Sequence, residues 1–245
     1  MGKTVIVVGA SGGIGSEVTK LLLKKGFSVI GTYYKDPDKL KPLEGETNFK
    51  STYCDLQDIK SIQNIEKQVN QIFAVVNCAG IINFEGKSLD EDLETWKRTL
   101  AINLTGNYLL AKLFHKKLEQ NGRFIMISST DSYYGGALTA SYAASKSGVN
   151  SLTKSISLLF ADKKIRTNSI APGWVLTPMT KSNGIEFLNK VASINPLKRN
   201  ADPEDVAKLV SFLLSNDADY INGQVISLEG GYTNQDPTLL IEEKL

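Results

Sequence analysis

Histidine is almost missing from this sequence. His115 is the only one in 245 residues, which excludes a histidine-based catalytic triad and a multi-histidine metal site. Beside Lys116 and Lys117 it reads as a surface residue. The two cysteines, Cys54 and Cys78, provide no disulfide framework, and both lie at the ends of apolar runs, where small buried thiols are usual. No apolar stretch is long enough to span a bilayer, and the opening MGKTVIVVGA enters a strand pattern without a signal-peptide layout. A cytoplasmic chain without a membrane partner is expected. The net charge is only +2, and the basic residues are scattered as pairs such as Lys24–Lys25 and Lys163–Lys164, so nucleic-acid binding has no support. The acids Asp90, Glu91, Asp92 and Glu94 read as the solvated first turn of a helix rather than a metal site. Asn103-Leu104-Thr105 fits a glycosylation sequon, but without a secretory signal it is not read as one. There is no internal repeat, low-complexity tract or linker, and residues 1–245 are expected to form one domain.

What is present is an alternation of strand and helix signals. Thr4–Val8, Ser28–Thr32, Phe49–Tyr53, Phe73–Asn77, Arg123–Ser128, Arg166–Ala171 and Gln224–Leu228 are apolar or β-branched runs with helical patterns between most of them. The pattern predicts an α/β fold, a doubly wound (Rossmann-type) three-layer sandwich around a seven-stranded parallel sheet. Asp202 before Pro203, with Val206, Leu209, Val210 and Leu213 following, predicts a helix start with Asp202 as N-cap.

Three constellations carry chemistry. Tyr142 and Lys146 are four residues apart, so a phenol and an ammonium share one helical face. An ordinary tyrosine has a pKa of roughly 10, and a fixed positive charge beside it favours the phenolate. The pair is therefore read as a general acid/base, with Lys146 lowering the Tyr142 pKa. Ser129 ends the run RFIMI-Ser128-Ser129, at the carboxyl edge of a strand, where open α/β sheets bind ligands. The first strand is followed by Gly9, Ala10, Ser11, Gly12, Gly13, Ile14 and Gly15 and then the apolar-periodic stretch Val18–Leu23. That is a phosphate cradle: the glycines let backbone approach, and the amides of a helix start favour an anion.

With these motifs in order, the chain resembles the short-chain dehydrogenase/reductase family along nearly its whole length. Gly9, Gly13 and Gly15 match its Gly-x-x-x-Gly-x-Gly pattern, Asn77-Cys78-Ala79-Gly80 matches its Asn-Asn-Ala-Gly segment except at Cys78, and Asn103, Ser129, Tyr142 and Lys146 match its catalytic group. The resemblance implies a nicotinamide dinucleotide across the strand ends. Tyr142 would donate the proton, Ser129 would bond the carbonyl oxygen, Lys146 would also hold the ribose hydroxyls, and Asn103 would support a water-linked proton path. Ser11, Gly12 and Ile14 would share the pyrophosphate turn. Asp55, with Leu56, resembles the adenine-contacting acid, although an N-cap before Ile59 is an equally open reading of Asp55. Asn77, Ala79 and Gly80 would line the adenosine side, and Ile170, Pro172, Gly173, Val175 and Thr177 would bound the nicotinamide. Tyr33 stands where an acid would read the ribose 2′-hydroxyl in an NAD-specific member, and Lys35 with Ser11 would bind a 2′-phosphate, so NADP(H) is preferred with NAD(H) as the alternative.

The resemblance implies a small carbonyl compound or alcohol as substrate. The length, the ending YINGQVISLEGGY and the PGWVLTPM loop look most like 3-oxoacyl-carrier-protein reductases, and Pro178–Arg199 fits the family's substrate lid. A sugar or polyol dehydrogenase is the runner-up among enzymes, and a catalytically silent dinucleotide-sensing regulator is the alternative of another class. Trp174, on a loop past a strand end, is open to either a core or a pocket role. A homotetramer joined through Ala140–Phe160 follows from the resemblance alone. The apolar cluster Leu239, Leu240 and Ile241 predicts an ordered tail.

Overall fold

The computed structural model describes residues 2–83, 93–136 and 138–235. The acids Asp90, Glu91 and Asp92 and the tail cluster Leu239, Leu240 and Ile241 lie outside the described residues. In chain order the elements are β1 (Thr4–Val8), α1 (Gly13–Lys24), β2 (Ser28–Tyr33), β3 (Phe49–Tyr53), α2 (Ile59–Glu66) and β4 (Ile72–Asn77). Then come α3 (Leu93–Leu100), which continues through a π-helical turn at Ala101–Thr105 into α4 (Gly106–Phe114), β5 (Leu118–Ile127) and α5 (Ala140–Leu159). The chain continues with β6 (Arg166–Pro172), α6 (Pro178–Lys181), α7 (Ile185–Ile194), α8 (Pro203–Leu214) and β7 (Val225–Leu228). β5 begins at Leu118 rather than Arg123, because Leu118 pairs with Ile72 ahead of a register shift. At the start of α8 the Asp205 carboxylate accepts from the Asp202 N–H at 2.9 Å, closing the expected cap from the other side.

The strands form one seven-stranded sheet, ordered β3-β2-β1-β4-β5-β6-β7, with every pairing parallel. The strands read as near-continuous apolar runs because both faces are covered. Side chains alternate across each strand. Val5 and Val7 of β1 pack with Val18 and Leu22 of α1 and Val206, Val210 and Leu213 of α8. Ile6 and Val8 pack on the opposite face with Ile62 of α2, Leu110 and Phe114 of α4 and Val149 and Ile156 of α5.

The order reverses between β1 and β4, and a crevice opens there beyond the carboxyl ends of the strands. Register brings Val8 opposite Asn77, Asn77 opposite Met126, and Ile127 opposite Ile170. The glycine turn, the Asn77–Gly80 segment and Ser129 therefore emerge at one edge of the sheet. Among the described residues, no helix is long and apolar enough to cross a membrane.

Candidate active site

The glycine turn is built for close approach. Gly9 has φ +78, a left-handed conformation, and a Cβ there would stand 2.9 Å from the Ala79 backbone across the crevice. A Cβ on Gly15 would lie 2.1 Å from the Gly9 carbonyl oxygen, so α1 can start this close to β1 only with glycine. Gly12 occupies the N-cap of α1 with no side-chain cap, and the first turn holds no acid. Its leading N–H groups and the positive end of the helix dipole thus face the crevice without a competing carboxylate. These residues fit the pyrophosphate of a dinucleotide.

A cavity of about 400 Å³ opens from this turn. Of the residues expected to bind the cofactor, Gly9, Ser11, Gly12, Gly13, Ile14, Tyr33, Lys35, Asp55, Leu56, Ala79, Gly80 and Thr177 line it. Gly15, Asn77, Tyr142, Lys146, Pro172, Gly173 and Val175 do not. Gly15 is spent on packing against Gly9, and Asn77 is 1% exposed, its amide donating to the Asn107 Oδ1 at 2.9 Å and its oxygen accepting from the Ala79 N–H at 3.0 Å. Asn77 braces the loop after β4 and does not line the cavity. Pro172 belongs to a fully buried strand, and Ile170 sits in the core. Asp55 lines the cavity, whereas the N-cap of α2 is Asp58, which accepts from the Lys60 N–H at 2.9 Å. The N-cap reading of Asp55 therefore fails, and its Oδ1 accepts from the Gln57 N–H at 2.9 Å.

Charge in the cavity is mostly basic. Lys35, Lys39 and Arg98 face Asp36 and Asp55, and Asp36 is already paired with Lys39 at 2.8 Å. Arg98 was not picked out from the sequence, although it lies one turn before Ile102, another lining residue, on the helix that leads to Asn103. Trp174 packs edge-on against Phe187 with ring centres 5.0 Å apart and borders a separate cavity of about 370 Å³ with Asn195 and Glu229.

Gly80 joins the cavity to the proton-handling group, since a Cβ there would lie 3.4 Å from both the Asn103 Oδ1 and the Lys146 Nζ. Asn103 is fully buried in the π-helical turn. Such turns are rare and widen a helix locally. Its amide donates to the Ile81 carbonyl at 2.8 Å and the Ser145 Oγ at 3.1 Å, and its oxygen accepts from the Ile81 N–H at 2.9 Å. Both amide protons are committed, so the side chain clamps the loop after β4 onto α5 and has no donor left for the expected water-linked path.

Lys146 is 3% exposed, with its ammonium donating to the Ile127 carbonyl at 2.8 Å and standing 5.5 Å from the Tyr142 ring centre. Burial pushes it down to about 8, while Cys78 and Asp131 pull it back up. The Tyr142 phenol is pushed up to about 12 by burial, hydrogen bonding with Ser129 pulls it down, and Asp131 raises it. The expected lowering of Tyr142 by Lys146 is therefore not what the protein's own groups produce. Desolvation of the phenolate is the largest influence on Tyr142 and outweighs the hydrogen bond from Ser129. Cys78, in the place of the family's second asparagine, lines the cavity beside Lys146, and burial pushes its thiol up to about 12, leaving it inert.

A family model described as enoyl-(acyl carrier protein) reductase, from the short-chain dehydrogenases, matches residues 9–233. The 3-oxoacyl-[acyl-carrier-protein] reductase FabG of Rickettsia conorii is 36% identical over 236 residues, covering 94% of this chain and 96% of that protein. A 2-dehydro-3-deoxy-D-gluconate 5-dehydrogenase of Bacillus subtilis is 32% identical, with 96% of each chain covered. The structure of BdcA in complex with NADPH superimposes with a TM-score of 0.86 at 27% identity, over 94% of each chain. With the glycine turn, the reversal point of the sheet and the Ser129, Tyr142 and Lys146 group in one edge of the fold, the chain belongs to the short-chain dehydrogenase/reductase family of oxidoreductases acting on alcohol and ketone groups.

Proposed function

We propose that the protein is an NADP(H)-dependent enzyme interconverting a ketone and a secondary alcohol, with 3-oxoacyl thioesters as the leading substrate class. The observation that carries the reaction type is the meeting of Ser129, Tyr142 and Lys146 beside Gly80, where the cavity ends. When bound, the nicotinamide supplies the hydride. Tyr142 gives its phenolic proton to the developing alkoxide in reduction and takes it back in oxidation. Ser129 bonds the carbonyl oxygen and the Tyr142 oxygen, fixing the distance over which that proton moves. Lys146, tethered to Ile127, would hold the ribose hydroxyls, and Asn103 positions Ile81 and Ser145 around it. The NADP(H) preference is supported by Tyr33 in place of an acid, by Lys35 and Arg98 in the cavity, and by the NADPH in the BdcA structure.

The 3-oxoacyl reading follows from the Rickettsia relative, and the sugar or polyol reading from the Bacillus one. The second is kept because the charge of the half-buried Asp131 reaches the Tyr142 phenol, and a carboxylate in that region suits a hydroxylated substrate. The enzyme is proposed to work in the cytoplasm as a single-domain subunit of a homotetramer. NADPH oxidation by the purified protein, measured against β-keto thioesters, diketones and ketoses, tests the assignment. Turnover should fall by about 10²–10⁴-fold in Tyr142→Phe with NADPH still bound. Near-wild-type turnover in that variant would remove Tyr142 from its role.

A further inference from the structure

The face of α5 that carries Tyr142 and Lys146 has a third polar member. Asn150 stands four residues beyond Lys146, as Lys146 stands four beyond Tyr142, so the three share one side of the helix. The Asn150 amide meets the end of β5, where the chain leaves the sheet through Ser128, Ser129 and the 3₁₀ turn Thr130–Ser132. Both ends of that amide are used. Its Oδ1 accepts from the Ser128 Oγ at 2.6 Å, and its Nδ2 donates to the Ser132 Oγ at 2.7 Å. The Ser132 hydroxyl in turn donates to the Ser129 carbonyl at 2.5 Å. One side chain of α5 thus grips the residue before Ser129 and, through Ser132, the carbonyl of Ser129 itself. Ser147, on the same helix, adds a bond from its Oγ to the Ser132 carbonyl at 3.0 Å.

Polar satisfaction alone does not call for this amide. Ser128 is 2% exposed, but its hydroxyl has a second acceptor within reach, the Lys146 carbonyl at 3.2 Å. Ser132 is only half-buried, where water can serve it. What Asn150 alone supplies, among the described residues, is a side chain bonded to Ser128 and Ser132 together, across Ser129. An amide suits that task, because it holds an acceptor and a donor in one rigid plane. The Ser129 Oγ accepts from the Asp131 N–H at 3.2 Å, which leaves its own proton for an oxygen in the site. The direction of that proton is therefore set by the backbone on either side of Ser129.

We propose that Asn150 is a positioning residue for the reaction: by holding Ser128 and Ser132 against α5, it sets the aim of the Ser129 hydroxyl relative to Tyr142, which the same helix carries. The proposal rests on the assignment of Ser129 and Tyr142 to the reacting carbonyl. Strand end and helix are far apart in sequence, and the hydroxyl and the phenol keep one spacing only if the two elements are joined. Asn150 is that joint, and a displacement of about 1 Å in such a group can cost roughly 10²-fold in rate.

The test uses whichever β-keto thioester, diketone or ketose the wild type reduces fastest with NADPH. Asn150→Ala should lower kcat by about 10–100-fold. KM should change less than about threefold, because the Ser129 bond strengthens as the carbonyl oxygen gains charge. NADPH affinity, followed by fluorescence, should stay at the wild-type value. Ser132→Ala cuts the same relay outside the helix and should lower kcat in the same way. The double variant should be no slower than the slower single one, since both remove one connection. Thermal midpoints show whether each variant is folded, and Ser132→Ala decides the matter if Asn150→Ala is not. Wild-type kcat in both single variants, a loss confined to KM or NADPH affinity, or losses that multiply in the double variant overturn the inference and leave the reaction type standing. A wild type that reduces no carbonyl compound overturns the reaction type and the inference together.

Discussion

Replacing Lys146 by Met should make the protein more stable and inactive. Lys146 is 3% exposed, and burial lowers its ammonium from 10.5 to about 8, against the pull of Cys78 and Asp131. At about 1.4 kcal/mol per pKa unit, keeping that charge inside the fold costs ~3 kcal/mol at neutral pH. The sign follows from proton counts. Between about pH 8 and 10.5 the unfolded chain keeps a proton on this amine that the folded chain has released, so stability rises with pH across that window. Below it the cost is full; above it the cost is gone. Met keeps the length and volume without the charge but forfeits the 2.8 Å bond to the Ile127 carbonyl, worth about 1–2 kcal/mol. The net gain at pH 7 should be about 1–2 kcal/mol, or roughly 2–8 °C in thermal midpoint for a chain of this size. Cys54 and Cys78, both pushed from 9.0 up to about 12 by burial, tilt stability the other way above about pH 9. Cys54 does so in both proteins, whereas Cys78 feels the Lys146 charge, so the difference between variant and wild type reads Lys146 together with its coupling to Cys78. Urea unfolding should show the variant's advantage holding between about pH 7 and 8 and shrinking from about pH 8 toward pH 10. A variant less stable at pH 7, or a difference that ignores pH, would refute the reasoning.

Three further outcomes test the rest of the site. Gly15→Ala must move the backbone, because its Cβ would meet the Gly9 carbonyl at 2.1 Å; NADPH binding, followed by fluorescence, should weaken at least about tenfold. Lys35→Ala should raise the Kd for NADPH by about tenfold and leave that for NADH unchanged, and a wild type that binds NADH as tightly as NADPH removes the proposed preference. Leu158 and Leu159 are 78% and 74% exposed at the end of α5. At about 1.5–3 kcal/mol per buried leucine, replacing both with Lys should lower the mass seen by light scattering without unfolding the subunit, and a wild-type monomer at micromolar concentration removes the tetramer.

Much of the fold was legible because parallel strands buried on both faces announce themselves as unbroken apolar runs. TVIVV gave β1 at its observed bounds, and RFIMI gave the paired part of β5. The missing start of β5 depends on Leu118 pairing with Ile72 across a register shift, which no local pattern carries. The site was legible where chemistry follows spacing along one element, as for Gly9–Gly15 and for Tyr142 with Lys146. Arg98 and Asp131 escaped because their importance depends on which wall of a cavity, or which side of a phenol, the fold turns them toward. Asn77 and Asn103 were assigned to ligand and water by resemblance, yet their amides are occupied by Asn107, Ile81 and Ser145, partners fixed only when β4, the π-helical turn and α5 come together.

The pKa of Tyr142 shows most sharply where spacing stops being informative. Sequence distance places a cation one turn away and predicts a phenol drawn down toward neutrality. Burial acts on both partners and in opposite directions, raising Tyr142 to about 12 and lowering Lys146 to about 8, so each moves toward its uncharged form. At neutral pH the protein's own groups therefore keep the phenol protonated, which is the form that donates in ketone reduction, while oxidation of an alcohol needs the phenolate. Reduction should accordingly persist at pH 6–7 and oxidation should climb as the pH rises toward 10. Asp131 reinforces this bias, since its charge disfavours the phenolate. In Asp131→Asn the rise of the oxidative rate should move to lower pH, and a profile that stays in place would separate the acid from the proton chemistry.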